Sequence, residues 1–347
     1  MRPTYIIGEI GQNHNGSVDY AKLMIEVAAR PVVDKLFGEK VIGMDAVKLT
    51  KRDLKQELSV SQMNRVYDTP HSFGKTYGEH REFLELSDEE HYELYNYTKC
   101  HGLDFVITLC APGTLSVLKL FTPDKLKVAS RDITNLPLLE VMAETKLPII
   151  ISLGMAGIKE LDDALDIITK HHSDISILHC VSEYPTQYKN VNLNSIKYLK
   201  ENYGKYKIGY SDHTIGIATP VAAVALGAEI IEKHITIDRK MKGTDQAGSL
   251  AIDGIERMVR DIRNMEMSMG TKDLFICDDV QLAKDKLERS IATLKSLNAG
   301  QIISENDLHL LSPGDGFKWI QREEIIGKRL KVGLSANEII YPEHLQE

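Results

Sequence analysis

The stretch EIIEKHITIDRKMKGTD, at residues 229–245, begins like a buried strand and ends in charged side chains. After two isoleucines it places Glu232, Lys233 and His234 in succession. Burying such groups costs free energy unless they meet a ligand or each other. The stretch therefore indicates a strand that delivers polar side chains to a place where they are needed.

Seven similar apolar runs precede it in the chain. They are TYIIGEIG (4–11), MDAVKLT (44–50), DFVITLC (104–110), KLKVAS (125–130), PIIISLG (148–154), DISILHC (174–180) and KIGYSDH (207–213). Each is continuously apolar, as in parallel strands buried on both faces, and helix-like segments separate them. Eight such units predict an α/β fold, the TIM (β/α)8 barrel. A doubly wound open sheet is the alternative, but the first turn, GEIGQNHNG, does not match GxGxxG.

Every run turns polar where it ends. The polar residues at these ends are Glu9, Lys48, Thr108, Lys127, Ser130, Ser152, His179, Ser211, His213, Glu232 and His234. The strand ends of a TIM barrel surround one mouth, and active sites are built there. We therefore predict that these side chains meet in a single site.

The composition of the 347-residue chain is that of a globular protein with a large core, since 43% of its residues are hydrophobic and 27% are charged. A net charge of -8 and the lack of a long Lys/Arg cluster argue against binding to nucleic acid or anionic membranes. No apolar run approaches the roughly 18 residues of a membrane span, and we expect a cytoplasmic protein. The cysteines lack CxxC spacing and are expected to be reduced structural thiols: Cys100, Cys110, Cys180 and Cys277.

The alternation of strands and helices stops near residue 266. We predict a catalytic barrel over residues 1–266, a linker over 267–288 and a separate module over 289–347. A module of about 60 residues barely supports its own core. It should therefore pack on its own barrel or on a second subunit.

The connection after the second run, residues 51–87, is unusually long. It contains NRVYDTPHSFGKTYGEHR (64–81) and has little apolar periodicity before a helix begins at Ser87. A long connection at the catalytic face of a barrel is more often functional than filler. We interpret it as a functional loop, such as a lid, and a surface excursion is the alternative.

Two lysines, Lys48 and Lys127, end two of the strands and have hydroxyl side chains nearby. Lysines and hydroxyls together hold a small dianion through charge-assisted and neutral hydrogen bonds. Each lysine taken singly is as well explained by a partner carboxylate or by capping the barrel end. Their equivalent positions favour a site for a phosphorylated carboxylate, with hydroxyl groups from Thr108, Ser130, Ser152 and Ser211.

Two histidines, His213 and His234, end consecutive strands 21 residues apart. A lone histidine is more often a structural residue. This pair, with Asp212, Glu232 and Asp245 close in sequence, instead indicates a divalent metal site with open positions for water and substrate. Oxygen-rich surroundings favour manganese or magnesium over structural zinc.

Glu9, at the end of the first strand, is the best carboxylate for proton transfer. The alternative is an ion pair with Lys48, which needs no catalysis to explain it.

Motifs along nearly the whole chain resemble those of the sialic acid synthases. They are GEIGQNHNG, AVKLTKRD, YGEHREFLELS, KVASRDITNLPLLE, ISLGMAG, LHCVSEYPTQY, GYSDHTIG and EKHITIDRKMKGTDQAGSL. Residues 289–347 are similar to the antifreeze-like domain of that family, a SAF domain of the β-clip type. The combination is specific, because SDHT and EKH occur at the matching strand ends together with both lysines.

The resemblance implies that phosphoenolpyruvate condenses with the open-chain form of a mannosamine-type sugar to give a nonulosonic acid and phosphate. On the matching positions, His213 and His234 hold a divalent metal that polarises the sugar aldehyde, with Mn²⁺ preferred over Mg²⁺ or Co²⁺. Glu9 positions or deprotonates the water that adds after the carbon–carbon bond forms. Phosphoenolpyruvate is bound by Lys48, Thr108, Lys127, Ser130, Ser152 and Ser211, with Glu232 among the substrate-binding residues. Tyr184 and Asp245 contact the acceptor sugar.

The family also implies a domain-swapped homodimer, in which the antifreeze-like domain covers the barrel of the partner subunit. Its usual arginine before a Pro-Gly pair is Ser312 here, and a common asparagine and glutamine are Ser182 and Thr50. Arg131 stands where many members have a small residue, and it offers a fork to an anionic or hydroxyl-rich acceptor. A structural ion pair is its alternative role. We therefore hypothesise an acceptor other than plain N-acetylmannosamine, such as a deaminated, differently acylated or phosphorylated sugar.

Two other functions remain open from the sequence. One is another phosphoenolpyruvate-dependent synthase on the same barrel, of the heptulosonate- or octulosonate-phosphate type or one that makes KDN. The other is a non-catalytic sugar-phosphate-binding protein. The C-terminal module argues against the first, and the presence of Glu9, both lysines and both histidines argues against the second.

Overall fold

The eight apolar runs form eight parallel strands that close into a barrel, in the order β1-β10-β9-β8-β7-β6-β5-β4. The barrel strands are β1 (Tyr5–Gly11), β4 (Ala46–Lys51), β5 (Asp104–Leu109), β6 (Lys125–Val128), β7 (Ile149–Ser152), β8 (Ile175–Cys180), β9 (Lys207–Asp212) and β10 (Ile230–His234). A short antiparallel pair, β2 (Val32–Val33) and β3 (Lys40–Val41), lies outside the barrel. The predicted fold is confirmed, with all eight strands in place.

This computed structural model describes residues 3–35, 38, 40–41 and 43–346. The chain divides into two units, Met1–Gly270 and Thr271–Glu347. Within the part of the chain that is described, no helix is long and apolar enough to cross a membrane.

The helices of the first unit mostly follow the strands, as a TIM barrel requires. They are α1 (Val18–Ala29), α2 (Leu54–Glu57), α3 (Val60–Met63), α4 (Tyr77–Leu84), α5 (Asp88–Cys100), α6 (Leu136–Glu144), α7 (Ile158–Ile168), α8 (Asn194–Tyr203), α9 (Ala218–Ala225) and α10 (Ile252–Ser268). Short 3-10 helices occur at Pro112–Lys119, Ser130–Asp132, Tyr188–Asn190 and Gln246–Gly248.

Alternation along each strand divides the apolar side chains between two cores. One face fills the barrel interior with Ile7, Ala46, Val106, Ile150, Leu178 and Ile230. The other face packs under the helices; Ile6 and Ile231, for example, belong to that larger core. Both cores are buried, which is why the strands are apolar at successive positions.

The long connection at residues 51–87 is more ordered than its sequence suggested. It contains α2, α3 and α4, and it ends at α5. Thr76 begins α4 and Ser87 begins α5, each in a capping box with Glu79 or Glu90. These reciprocal hydrogen bonds satisfy backbone donors that a helix start otherwise leaves free.

The second unit has its own small apolar core. Its elements are α11 (Gln281–Leu287), β11 (Ser290–Thr293), β12 (Leu308–Leu311), α12 (Arg322–Ile325) and 3-10 turns at Asp278–Val280, Glu305–Asp307, Trp319–Gln321 and Pro342–His344. β11 and β12 pair antiparallel. The core consists of Ile291, Leu297, Ile303, Leu308, Ile325, Leu330, Leu334, Ile340 and Leu345.

Candidate active site

The register of three neighbouring strands brings the first functional side chains together. Glu9 on β1 lies opposite His234 on β10 and opposite Lys48 on β4. Further round the barrel, Thr108 lies opposite Lys127. Because successive side chains of a strand point to opposite faces, only alternate residues at each strand end enter the barrel mouth.

A cavity of about 460 Å³ opens at this mouth, within the range of small-molecule sites. Every residue that the sequence assigned to catalysis, substrate or metal lines it: Glu9, Lys48, Thr108, Lys127, Ser130, Arg131, Ser152, Ser182, Tyr184, Ser211, His213, Glu232, His234 and Asp245. The structure therefore brings all of these side chains to one place, although their roles stay predictions.

Buried charges form the floor of the cavity. Lys48 Nζ lies 2.9 Å from Glu9 Oε2 and 3.6 Å from Glu232 Oε2, and it donates to Thr108 Oγ1 at 3.1 Å. Lys127 Nζ lies 3.5 Å from Glu232 Oε1. Both lysines thus have carboxylate partners, which is the arrangement expected if each lysine has only a structural role. That pairing does not exclude a ligand, because the same ammonium groups face the cavity.

The pKa values of the two carboxylates at the cavity floor are shifted in opposite directions. Burial raises the pKa of Glu9 to about 7, against the opposing charge of Lys48. Burial also acts against ionisation of Glu232, but the charges of Lys127 and Lys48 outweigh it and lower the Glu232 pKa to about 2. Glu9 is therefore suited to exchange a proton near neutral pH, while Glu232 serves as a fixed negative charge between two lysines.

The serine hydroxyls differ in how well they are satisfied. Ser211 Oγ donates to Glu232 Oε1 at 2.9 Å, and Ser130 Oγ accepts from the Gly154 N–H at 2.9 Å. Ser152 Oγ is buried and has no hydrogen-bond partner among the residues that the structure describes. An unsatisfied buried hydroxyl on a cavity wall is a donor that a ligand can use.

The two histidines fit a divalent cation in their chemistry. The His213 and His234 ring centroids are 5.5 Å apart. His213 Nδ1 donates to the Val181 carbonyl at 2.7 Å, which leaves Nε2 as an acceptor. His234 Nδ1 is buried without a partner, and burial lowers the His234 pKa, which favours the neutral form that metal ligands need. Among the described residues no group of three or more His, Cys, Asp or Glu side chains is arranged to hold a metal ion.

Two residues that the sequence analysis named at or near the strand ends, His179 and Asp212, do not line the 460 Å³ cavity. His179 Nε2 donates to the Val191 carbonyl, 2.6 Å away, and the ring stacks on Tyr210. Its position one residue before the end of β8 turns it outward, so its placement at the mouth was wrong, and Cys180 lines the cavity instead. Asp212, expected near the metal, forms a buried ion pair with Lys233 at 2.5 Å.

The ion pair between Asp212 and Lys233 explains why three polar residues occur in succession at positions 232–234 of a buried strand. Glu232 and His234 point into the cavity, whereas Lys233 points the other way and meets Asp212 and the Thr214 carbonyl. Three polar residues in succession are tolerated because each has either a buried partner or the cavity.

The position of Arg131 is compatible with both of the roles that the sequence left open. It lines the cavity, and it also lies 3.3 Å from Asp132 Oδ2 and 3.5 Å from Glu57 Oε1. Its Nη2 donates to Cys110 Sγ at 2.9 Å. In the second unit, Ser312 Oγ donates to the Leu287 carbonyl at 3.0 Å.

Several lining residues were not predicted from the sequence. They are Gly11, Gln12, Thr50, Arg52, Tyr67, Arg81, Ala129, Met155, Cys180 and Thr244. Arg52 follows β4 directly, and Tyr67 and Arg81 belong to the long connection. Arg52 lies in the quoted motif AVKLTKRD and Arg81 in YGEHREFLELS. The position of Arg52 next to strand β4, and of Arg81 in the long connection, was the signal from which their place at the cavity could have been predicted. All four cysteines are free thiols, as expected.

Comparisons with known proteins identify the family. The NeuB family model matches residues 39–274, and the SAF domain model matches residues 288–346. Human N-acetylneuraminate-9-phosphate synthase is 33% identical over 347 residues, covering 99% of this chain and 93% of the human protein. N,N'-diacetyllegionaminic acid synthase from Legionella pneumophila is 34% identical over 350 residues, covering 99% of this chain and 94% of that protein.

Solved structures agree with the sequence relatives. The crystal structure of a sialic acid synthetase from Leptospira borgpetersenii matches with a TM-score of 0.67 and 31% identity, covering 81% of this chain and 90% of that one. The fold and site therefore define an enzyme of the sialic acid synthase class. The chain belongs to the NeuB family and carries a C-terminal SAF domain, which confirms the resemblance seen in its motifs.

Proposed function

We propose that the protein condenses phosphoenolpyruvate with the open-chain form of a mannosamine-type or related hexose to give a nonulosonic acid and phosphate. The observation that carries this proposal is the cavity floor. Two buried lysines flank Glu232 there, with Glu9 and an unsatisfied Ser152 hydroxyl beside them. This arrangement fits a small ligand that carries both a carboxylate and a phosphate.

Phosphoenolpyruvate would lie against Lys48 and Lys127, and its anionic groups would take over contacts that Glu232 now makes. Thr108, Ser130, Ser152 and Ser211 would hold it in place through their hydroxyls. A divalent cation, Mn²⁺ first and Mg²⁺ or Co²⁺ as alternatives, would be held by His213 and His234 and would supply Lewis acidity at the acceptor aldehyde. Tyr184 packs 4.0 Å from the His213 ring and, with Asp245, would position the acceptor.

The reaction balances with the groups present. The methylene carbon of phosphoenolpyruvate uses the π electrons of its double bond to form a bond to the aldehyde carbon, and the aldehyde oxygen takes a proton from solvent. Water then adds to the cationic carbon that bears the phosphate, and Glu9 accepts the proton that the water loses. The resulting tetrahedral intermediate breaks its carbon–oxygen bond to phosphate and becomes the keto acid. A Glu9 pKa near 7 suits both the uptake and the return of that proton.

The test is phosphate release from phosphoenolpyruvate in the presence of manganese, across mannosamine-type sugars, mannose and their phosphates. Release that depends on one sugar and is abolished by a chelator supports the proposal. We expect Lys127→Met to lose activity and Lys125→Met to keep it, because Lys125 starts the same strand at the far end of the barrel. A folded, metal-binding protein that releases no phosphate with any sugar would favour the non-catalytic binding protein.

We also infer a homodimer of the domain-swapped kind that the resemblance implies. Support comes from an apolar surface on the second unit, where Leu274 is 99% exposed and Leu282 is 84% exposed. Phe275, Ile276 and Leu287 are exposed beside them in sequence. Such a surface is costly in water unless another surface covers it. Light scattering during size-exclusion chromatography should give about twice the chain mass of 39.0 kDa, and a monomer would contradict the inference. We place the reaction in the cytoplasm, where phosphoenolpyruvate is made.

A further inference from the structure

Three arginines line the cavity in addition to the two lysines of its floor. Arg52 follows β4, Arg81 lies in α4, and Arg131 follows β6. In the proposed function, phosphoenolpyruvate lies against Lys48 and Lys127, which are grouped with the hydroxyl side chains of the cavity. The arginines are therefore available for a second anionic group in the same cavity.

Two of these arginines already have carboxylate partners. Glu57 of α2 pairs with Arg52 and lies 3.5 Å from Arg131 Nη2. Asp132 lies 3.3 Å from Arg131 Nε. The two carboxylates, Glu57 and Asp132, thus balance the charges of Arg52 and Arg131, and Glu57 lies near both arginines.

Arg81 has no carboxylate partner within the ranges that the structure describes. Its Nη1 donates to the neutral Gln12 Oε1, and its guanidinium carbon lies 4.8 Å from the centroid of the Tyr77 ring. Its Nε and the Nε2 of the neighbouring Gln12 are buried and have no hydrogen-bond partner among the described residues. Burial and the nearby charge of Arg52 both lower the Arg81 pKa. The three arginines therefore hold one positive charge more than their two carboxylates, and they keep donors free.

An uncompensated, partly buried guanidinium is costly unless a ligand supplies the opposite charge. We propose that the acceptor sugar carries a phosphate group at the end remote from its aldehyde, and that Arg81 binds this phosphate with Arg52 and Arg131 beside it. This inference rests on the proposed function, because it names the class of the second substrate. Among the relatives, the human protein bears the name of a 9-phosphate synthase, but the Legionella pneumophila protein does not, so relatives alone leave the point open.

Phosphate fits the three arginines better than a carboxylate does. Each guanidinium presents a planar fork of donors that matches the oxygens of a phosphate. A phosphate offers three non-bridging oxygens and a charge near -2, whereas a carboxylate offers two oxygens and one charge. The free donors on Arg81 Nε and Gln12 Nε2 add further hydrogen bonds to the same anion.

The first experiment measures binding, which does not depend on turnover. Calorimetric titration compares N-acetylmannosamine 6-phosphate, N-acetylmannosamine and mannuronate, with phosphoenolpyruvate absent. We expect the phosphate ester to bind at least about 30-fold more tightly than the unphosphorylated sugar, since a buried charge pair accounts for about 2 kcal/mol or more. Mannuronate that binds as tightly as the phosphate ester would overturn the assignment to phosphate.

Variants of the same helix region connect this preference to Arg81. Arg81→Gln should remove most of the preference for the phosphate ester, and Arg81→Lys should keep part of it because the charge stays and the fork is lost. The control is Arg65→Gln, since Arg65 is exposed in the same connection and does not line the cavity. Equal unfolding midpoints of all variants show that a lost preference is not lost folding. A preference that survives Arg81→Gln would overturn the inference.

A measurement of phosphate release during turnover distinguishes two outcomes: an acceptor without a phosphate group, and a protein that does not catalyse the condensation. Phosphate release that favours unphosphorylated N-acetylmannosamine would leave the reaction standing and refute a phosphorylated acceptor. Tight, Arg81-dependent binding of the phosphate ester without any release would refute the condensation and keep the phosphate site.

Discussion

At Ser152, an effect on substrate binding can be measured separately from an effect on the stability of the fold. Its hydroxyl is buried at the end of β7 and has no hydrogen-bond partner in the described part of the chain. We predict that Ser152→Ala changes the free energy of unfolding by less than about 0.5 kcal/mol, because no internal hydrogen bond is lost. The KM for phosphoenolpyruvate should rise about 10-fold or more, since a hydrogen bond to a charged group is worth about 1.5–3 kcal/mol.

The matched control for Ser152 is Ser176, a buried serine near the other end of the neighbouring strand β8. Ser176→Ala should leave the KM for phosphoenolpyruvate unchanged. Steady-state kinetics and denaturant unfolding of both variants measure the two effects. A Ser152→Ala protein that loses stability but keeps its KM would show that the hydroxyl is structural.

Glu9 carries the proton transfer in the proposed reaction, and its substitution tests that role. Glu9→Gln keeps the shape of the side chain but cannot accept a proton. We expect kcat to fall by a factor of about 10² to 10⁴, the usual contribution of a general base. Single-turnover phosphate release measures the loss, and Glu201→Gln, at an exposed carboxylate of α8, is the control. Retained kcat in Glu9→Gln would reduce Glu9 to the ion-pair partner of Lys48.

At the scale of elements, β9 and β10 are joined by an ion pair on one face, and on the other face their side chains line the cavity. Lys233 Nζ reaches Asp212 Oδ2 at 2.5 Å and also donates to the Thr214 carbonyl. Lys233 is 1% exposed and Asp212 is 1% exposed, so neither charge has water as an alternative partner.

We predict that Lys233→Met destabilises the barrel unit by about 3–5 kcal/mol, because it leaves a buried carboxylate without its counter-ion. The double variant Lys233→Met with Asp212→Asn should recover part of that loss, since no unpaired charge is left. Urea unfolding followed by circular dichroism gives both values. If the single variant were as stable as the natural protein, the pair would not be what ties the two strands together.

The same element shows how far sequence alone reaches. Continuous apolar runs and their polar ends predicted all eight strands and the mouth of the barrel, because a strand that is buried on both faces must be apolar at successive positions. The direction of single side chains alternates along a strand, so His179, one residue before the end of β8, was wrongly placed at the mouth. Arg81 reaches the cavity only through the packing of α4, which no local pattern determines.

At the scale of the whole molecule, buried neutral histidines connect stability to pH. His14 lies in the loop after β1 and His91 lies in α5, and each is 1% exposed. Burial lowers the pKa of His14 to about 3, with His91 adding to the effect, and lowers the pKa of His91 to about 4. His91 Nδ1 donates to the Ser87 carbonyl, 2.9 Å away. Both rings therefore stay neutral in the folded protein.

We predict that the free energy of unfolding falls as pH drops from about 6.5 towards about 4. In that window the unfolded chain binds protons on both histidines, whereas the folded chain does not, so protons favour unfolding. The stabilising effect of the two neutral rings is complete above about 6.5, and each ring loses about 1.4 kcal/mol per pH unit below it. Urea unfolding at a series of pH values measures this slope. His91→Gln should make the slope shallower and His101→Gln, at an exposed histidine just after the same helix, should not. An equal slope in all three proteins would mean that carboxylates, not buried histidines, set the acid limit of this fold.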